Sequence, residues 1–205
     1  MKALFFVFCL SFLLAVSDLQ ASSGTIHART PATSEVRDII QEIVDVIGLK
    51  TRFEIRTADN IDNAAAVLIG EKRFIFYDEN FVKSINSAVN TDWAGVSILA
   101  HEIGHHLNGH TLNEKGSTHI EELEADEFSG FVLRRLGAGL GEAQAAMYKL
   151  SSEHGSATHP NRGDRLKAIE AGWQKADAQI RAEKSAQNRA CSTAQTPSVA
   201  KAEMP

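Results

Sequence analysis

Apolar residues fall along this chain in blocks of different period, and each block predicts a different element. Ala3 to Val16 carries no charge and follows a positive start at Met1-Lys2. Such a run is short for a membrane-spanning helix, which needs about 20 residues, and it has the form of the apolar part of an export signal. Small residues at Ala15 and Ser17, or at Ala21, offer processing points. Residues 1–21 are therefore read as a signal peptide, and the mature chain as periplasmic or secreted with no integral membrane span. Residues 22–32, rich in Ser, Thr and Ala, read as a flexible lead-in.

Val36, Ile39, Ile40, Ile43, Val44 and Ile47 then recur at helical spacing and predict a helix from Ser34 to Ile47, capped by Thr33 or Ser34 and stopped by Gly48. Phe53 and Ile55 alternate with charged neighbours, as in a half-buried strand. Ala64 to Ile69 and Arg73 to Tyr77 are β-prone runs on either side of Gly70-Glu71-Lys72, a hairpin pattern. A short helix is expected near Phe81 to Ile85. Asp92 is the candidate cap of a strong helix from Trp93 to about Asn108, and Gly109 to Thr118 reads as a loop. Further helices are predicted from His119 or Ile120 to Leu136 and from Glu142 to Ser151. After a polar loop over 154–164, Arg165 opens a last helix whose apolar face ends at Ile180. Residues 185–205 read as a disordered tail. The pattern predicts an α+β domain over 33–184, mostly helical with a small antiparallel sheet and a central helix.

Composition narrows the class without naming a function. The 205 residues hold 21 Lys+Arg against 26 Asp+Glu, for a net charge of −5, with 43% hydrophobic and 23% charged residues. This is a globular balance. Without a basic run it excludes nucleic acid as a partner, since phosphate binding needs clustered Lys and Arg. Of the two cysteines, Cys9 lies in the leader, so the mature chain keeps only Cys191 and forms no internal disulfide. The histidines are uneven: of eight, those at 101, 105, 106, 110 and 119 crowd one region.

That region contains His101-Glu102-Ile103-Gly104-His105, an HExxH pattern. On a helix the two imidazoles project about 40° apart, one turn up the same face, and can converge on one Zn²⁺. Glu102 lies beside them and can reach a water at the metal without itself being a ligand, as a general base requires. Val96, Ile98, Leu99, Ile103 and Leu107 supply the apolar faces of a buried helix.

A catalytic zinc usually has a third protein ligand. Asn108 and Thr111 stand where the metzincin pattern needs Gly and His. His110 becomes a ligand only if the chain turns sharply at Gly109. The stronger candidate lies in Glu121-Glu122-Leu123-Glu124-Ala125-Asp126, at the start of a helix with its own packing face. There Glu122 can ligate while Asp126, one turn on, accepts the free N–H of a ligating imidazole. Glu121 and Glu124 compete with Glu122 for the role. Gly104 and Gly130 can let the two helices approach closely.

Ile98 to His106, the Glu122-to-Asp126 ExxxD pattern, and Thr158-His159-Pro160 followed by Arg165 occur in this order. On these residues, over roughly 60–170, the chain resembles the gluzincin metallopeptidase family of the CAAX prenyl endopeptidases, HtpX and BepA. Asn63-Ala64 fits the family's strand start more weakly. The resemblance implies a zincin-like fold and one Zn²⁺ per chain held by His101, His105 and Glu122. It implies Glu102 as general base, Asp126 behind the ligands, His159 near the metal as transition-state donor or blocking fourth ligand, and Arg165 in support. The implied function is an exported zinc endopeptidase acting on protein or peptide substrates. The alternative is a non-proteolytic or latent zinc-binding chaperone in which His159 closes the site. The hydrophobic spans of membrane-embedded members have no counterpart after the leader.

Overall fold

A computed structural model of the protein describes residues 27–31, 33–59, 61, 63–112 and 117–194. The leader expected over 1–21 and the last part of the tail, 195–205, lie outside the described residues. β1 (His27–Pro31) leads into α1 (Ser34–Val46), which Thr33 starts by accepting the Val36 amide on its hydroxyl. The stripe read from the sequence is the buried face of α1, with Val36, Ile40, Ile43 and Val44 inside. After β2 (Glu54–Asp59) comes the hairpin of β3 (Ala64–Ile69) and β4 (Lys72–Tyr77). Gly70 turns it at φ +62, the positive value a type II′ turn needs at its first central residue.

The sheet order is β1-β2-β4-β3. β1 pairs antiparallel with β2 and β3 with β4, but β2 and β4 are parallel. The sheet is therefore mixed, not antiparallel as expected. Connectivity is the reason: the chain leaves β2, skips one strand position, and the hairpin returns β4 into the gap in the direction of β2. β1 also claims residues 27–31 from the expected flexible lead-in, because backbone pairing with β2 satisfies groups that composition alone leaves to water. Alternate residues face opposite sides: Ala64, Ile75 and Tyr77 join the main helical core, while Ala65, Val67 and Phe76 join a smaller cluster with Ala58 and Ile61.

α2 (Glu79–Val89) is capped by Asp78, whose carboxylate accepts the Asn80 and Phe81 amides. It packs on α3 (Trp93–Leu107), where a Cβ at Gly95 would stand 2.8 Å from Val82 Cγ1. Asp92, expected to cap α3, is already helical and makes no capping bond. Asn86 of α2 supplies an acceptor instead, taking the Gly95 amide at 2.7 Å. Around α3 lie α4 (His119–Leu136) and α5 (Leu140–Leu150), so that Ser97 to His106 is buried without interruption.

α6 (Arg162–Ala194) crosses α4 at a pair of glycines. A Cβ at Gly130 would overlap the Ile169 carbonyl, and one at Gly172 would overlap the Glu127 carbonyl. Gly130 thus serves the α4–α6 crossing and not the α3–α4 approach expected of it. Gly104 alone serves that approach, since a Cβ there would lie 3.2 Å from Ala125 Cα. α6 begins at Arg162, before Arg165, and continues to Ala194, so residues 185–194 of the expected tail are helical. They include Ala186, Gln187, Arg189, Ala190 and Ala194 and no Pro or Gly, so an already nucleated helix extends through them at little cost. Among the described residues no helix is long and apolar enough to cross a membrane.

Candidate metal centre

The helical pitch of α3 puts His101 and His105 one turn apart with their Nε2 atoms 3.1 Å from each other. The glycine contact at 104 brings in α4 and with it Glu122, whose Oε2 is 3.6 Å from His101 Nε2 and whose Oε1 is 3.5 Å from His105 Nε2. Two ligands about 2.1 Å from a tetrahedral zinc stand about 3.4 Å apart. The three spacings fall around that value, the two to Glu122 being to its different oxygens; all three residues are buried, and the group can hold a metal ion. Glu122 Oε2 is buried without a hydrogen-bond partner, with the Arg165 guanidinium in ion-pair contact at 3.4 Å, and so keeps a lone pair to offer a metal.

The competing glutamates are committed elsewhere. Glu121 closes a capping box, accepting the Thr118 amide at 2.7 Å while Thr118 Oγ1 accepts the Glu121 amide. Glu124 pairs with His110, Oε2 to Nε2 at 2.9 Å.

Asp126 Oδ1 lies 2.9 Å from His101 Nδ1, a close ionic contact whose angle falls short of a hydrogen bond. Arg165 donates to both Asp126 oxygens and stands 3.4 Å from Glu122 Oε2. Far from being a surface charge, it is among the largest fully buried side chains. His159 Nδ1 lies 3.3 Å from Glu122 Oε2, at the edge of the ligand group. Its loop is closed by the Ser156 amide donating to the His159 carbonyl, and His119 Nε2 ties the start of α4 to the Ser156 carbonyl.

Sequence reasoning missed two contacts. Gly109, at φ +79, does turn the chain sharply, but the following 3-10 turn (His110–Leu112) puts His110 behind His105, with the two Nδ1 atoms 3.0 Å apart. His110 therefore does not join the ligand group. The sharp turn was foreseeable from Gly109; the side on which the ring lands was not. The second contact is the Ala66 amide, which donates to Glu102 Oε2 at 2.7 Å and links the sheet edge to the central helix. His106 is a packing residue: its Nε2 pairs with the Phe74 carbonyl and its ring stacks on Phe53.

Burial and charge set the proton states. Burial, helped by the charge on His101, pushes His105 down to about 2. Burial alone would lower His101 too, but Asp126 and Glu122 outweigh it and raise it to about 10. Burial works against an ionised Glu122, yet His101 and His159 hold its carboxyl well below the usual carboxylate range. Glu102 is pushed up by burial to about 7, against the pull of His101. Among the described residues, the buried carboxyls of Glu102, Glu122 and Asp126 are thus faced by Arg165 and by a His101 that holds its proton. Ala66, His101, Glu102, His105, His110, Thr111, Ser117, Glu122 and His159 line a cleft.

Comparison of the chain with family models, with curated proteins and with solved structures gave no match.

Proposed function

We propose that this protein is an exported zinc-dependent endopeptidase of the gluzincin type, with His101, His105 and Glu122 holding the metal and Glu102 acting as general base. The observation that carries the reading is the convergence of two buried imidazole nitrogens and the buried Glu122 carboxylate, with Glu102 beside them. Zinc in that position would polarise a peptide carbonyl and acidify water. Glu102 takes the proton of the attacking water and returns it to the leaving amine, and a carboxyl near pH 7 suits both directions. Asp126 orients His101, and Arg165 holds Asp126 in place.

The sheet supports a peptide substrate. β3 is an edge strand that lines the cleft through Ala66. The Ala66 amide points to Glu102, away from β4, and strand alternation turns the amides of Ala64 and Leu68 to the same open side. An extended peptide adding to this edge as a strand would cross the ligand group.

Zinc content and cleavage of an unstructured protein such as casein test the reading in the wild type and in Glu102→Gln. The expected result is that wild type binds one zinc and cleaves, while Glu102→Gln binds zinc and does not cleave. Full cleavage by Glu102→Gln would refute the role of Glu102.

A second reading, a latent or non-proteolytic zinc protein, is favoured by one observation: His159 Nδ1 is buried without a hydrogen-bond partner beside Glu122. X-ray absorption at the zinc edge separates the two, because three imidazoles and one carboxylate would mean a closed site, and two imidazoles an open one.

A further inference from the structure

Each of the two ligand histidines has a second ring nitrogen that must be placed. For His101 that nitrogen faces Asp126. For His105 that nitrogen meets no carboxylate among the described residues; Nδ1 instead meets His110 Nδ1 at 3.0 Å, and His110 Nε2 meets Glu124 Oε2 at 2.9 Å. His105 and His110 are buried, while the Glu124 side chain is about half exposed at 53%.

Counting protons along this chain leaves one arrangement. A neutral imidazole that offers Nε2 to a metal carries its hydrogen on Nδ1. His105 Nδ1–H therefore donates, and His110 Nδ1 accepts with its lone pair. A neutral His110 then carries its hydrogen on Nε2, where Glu124 accepts it. The two ring planes are 72° apart with centroids at 5.1 Å, which a bond running along the line where the planes meet allows, since the donor hydrogen and the acceptor lone pair each lie in their own ring plane.

We infer that His110 and Glu124 form a positioning relay that fixes the tautomer and orientation of His105, doing through an intervening imidazole what Asp126 does directly for His101. The inference rests on the metal reading above. Neither residue touches the metal position or the scissile bond; both act through His105. Gly109 makes the relay possible, because its positive φ folds the 3-10 turn back against α3. Outer partners of ligating histidines typically govern metal affinity by 10–100-fold.

The test uses the whole protein and zinc alone, with Kd read by competition against a chromophoric chelator. His110→Leu removes the acceptor and is expected to raise the zinc Kd by about 10–100-fold. His110→Asn keeps an acceptor near the Nδ1 position and is expected to restore affinity close to the wild type. Melting of the metal-free proteins provides the control: a merely structural role would lower stability in both variants and would not split them by zinc affinity. In the zinc-loaded wild type, nitrogen-15 NMR should show His105 as the Nδ1–H tautomer and His110 as the Nε2–H tautomer. If His110→Leu does not fold, Glu124→Ala, at a half-exposed position, carries the test from the outer end. An unchanged Kd in His110→Leu, an equal loss in His110→Asn, or the opposite His110 tautomer overturns the relay. A wild type that takes up no zinc overturns the metal reading itself, which separates the two failures.

Discussion

Arg165 on α6 grips both carboxylate oxygens of Asp126 on α4, Nε to Oδ2 at 2.7 Å and Nη2 to Oδ1 at 2.9 Å, and neither residue is more than 2% exposed. Removing one partner of such a pair strands a buried charge, which costs about 3–5 kcal/mol. Arg165→Met should therefore lower the unfolding free energy by about that amount and weaken zinc binding, since Asp126 loses its anchor behind His101. Urea denaturation and chelator competition measure the two effects. A wild-type midpoint in Arg165→Met would mean that the pair anchors nothing.

The adjacent glutamates Glu121 and Glu122 should separate by function. Glu122→Ala is expected to lose zinc. Thr118→Ala and Glu121→Ala break only the capping box, at a cost of about 1 kcal/mol, with zinc affinity kept. Zinc stoichiometry and thermal melting of the three variants check this directly. Zinc loss in Glu121→Ala with retention in Glu122→Ala would reverse the ligand assignment.

Gly172→Ala should be costly although it adds a single methyl group. That methyl would overlap the Glu127 carbonyl, which is part of a helix backbone and cannot swing aside. The α4–α6 crossing must widen, at about 1–3 kcal/mol or more. Gly141→Ala, where a Cβ meets open space, is the control and should be neutral or stabilising. Denaturation midpoints for the pair decide it, and equal midpoints would show that the crossing is not tight.

Zinc binding should release about one proton per metal near pH 8. Without metal His101 is raised to about 10 and so carries a proton at that pH, which it must lose to offer Nε2. Affinity should accordingly rise with pH by about tenfold per unit between pH 8 and 9 and level off above about 10. Calorimetry in buffers of different ionisation enthalpy reads the proton count. A heat independent of buffer would show that His101 is already neutral.

What the sequence made legible is what local spacing determines. His101 and His105 converge because they are four residues apart on one helix, and the hairpin follows from Gly70 between two β-prone runs. Glu122 stands out from Glu121 and Glu124 only in three dimensions, because its neighbours' partners, Thr118 and His110, are settled by a cap and a turn. The parallel β2–β4 pairing was hidden because strand order is decided by long-range closure. Gly130 was assigned to the wrong neighbour for a related reason: a glycine in a helix signals close approach without saying which helix approaches. Asp92 had the right type for a cap, but Asn86 of α2 reached the α3 start instead.

The position of Arg165 also bears on the order in which the centre comes together during synthesis. The ligand atoms lie between residues 101 and 122, but the countercharge for Glu122 and Asp126 arrives with residue 165, on a helix whose docking depends on Gly172. A nascent chain that has emerged only as far as residue 160 holds both acidic side chains with no guanidinium to face them. Until α6 docks, Glu122 and Asp126 have His101 beside them but not the guanidinium. Docking of the last helix and completion of the buried charge balance at this centre are thus one event, late in the order of synthesis.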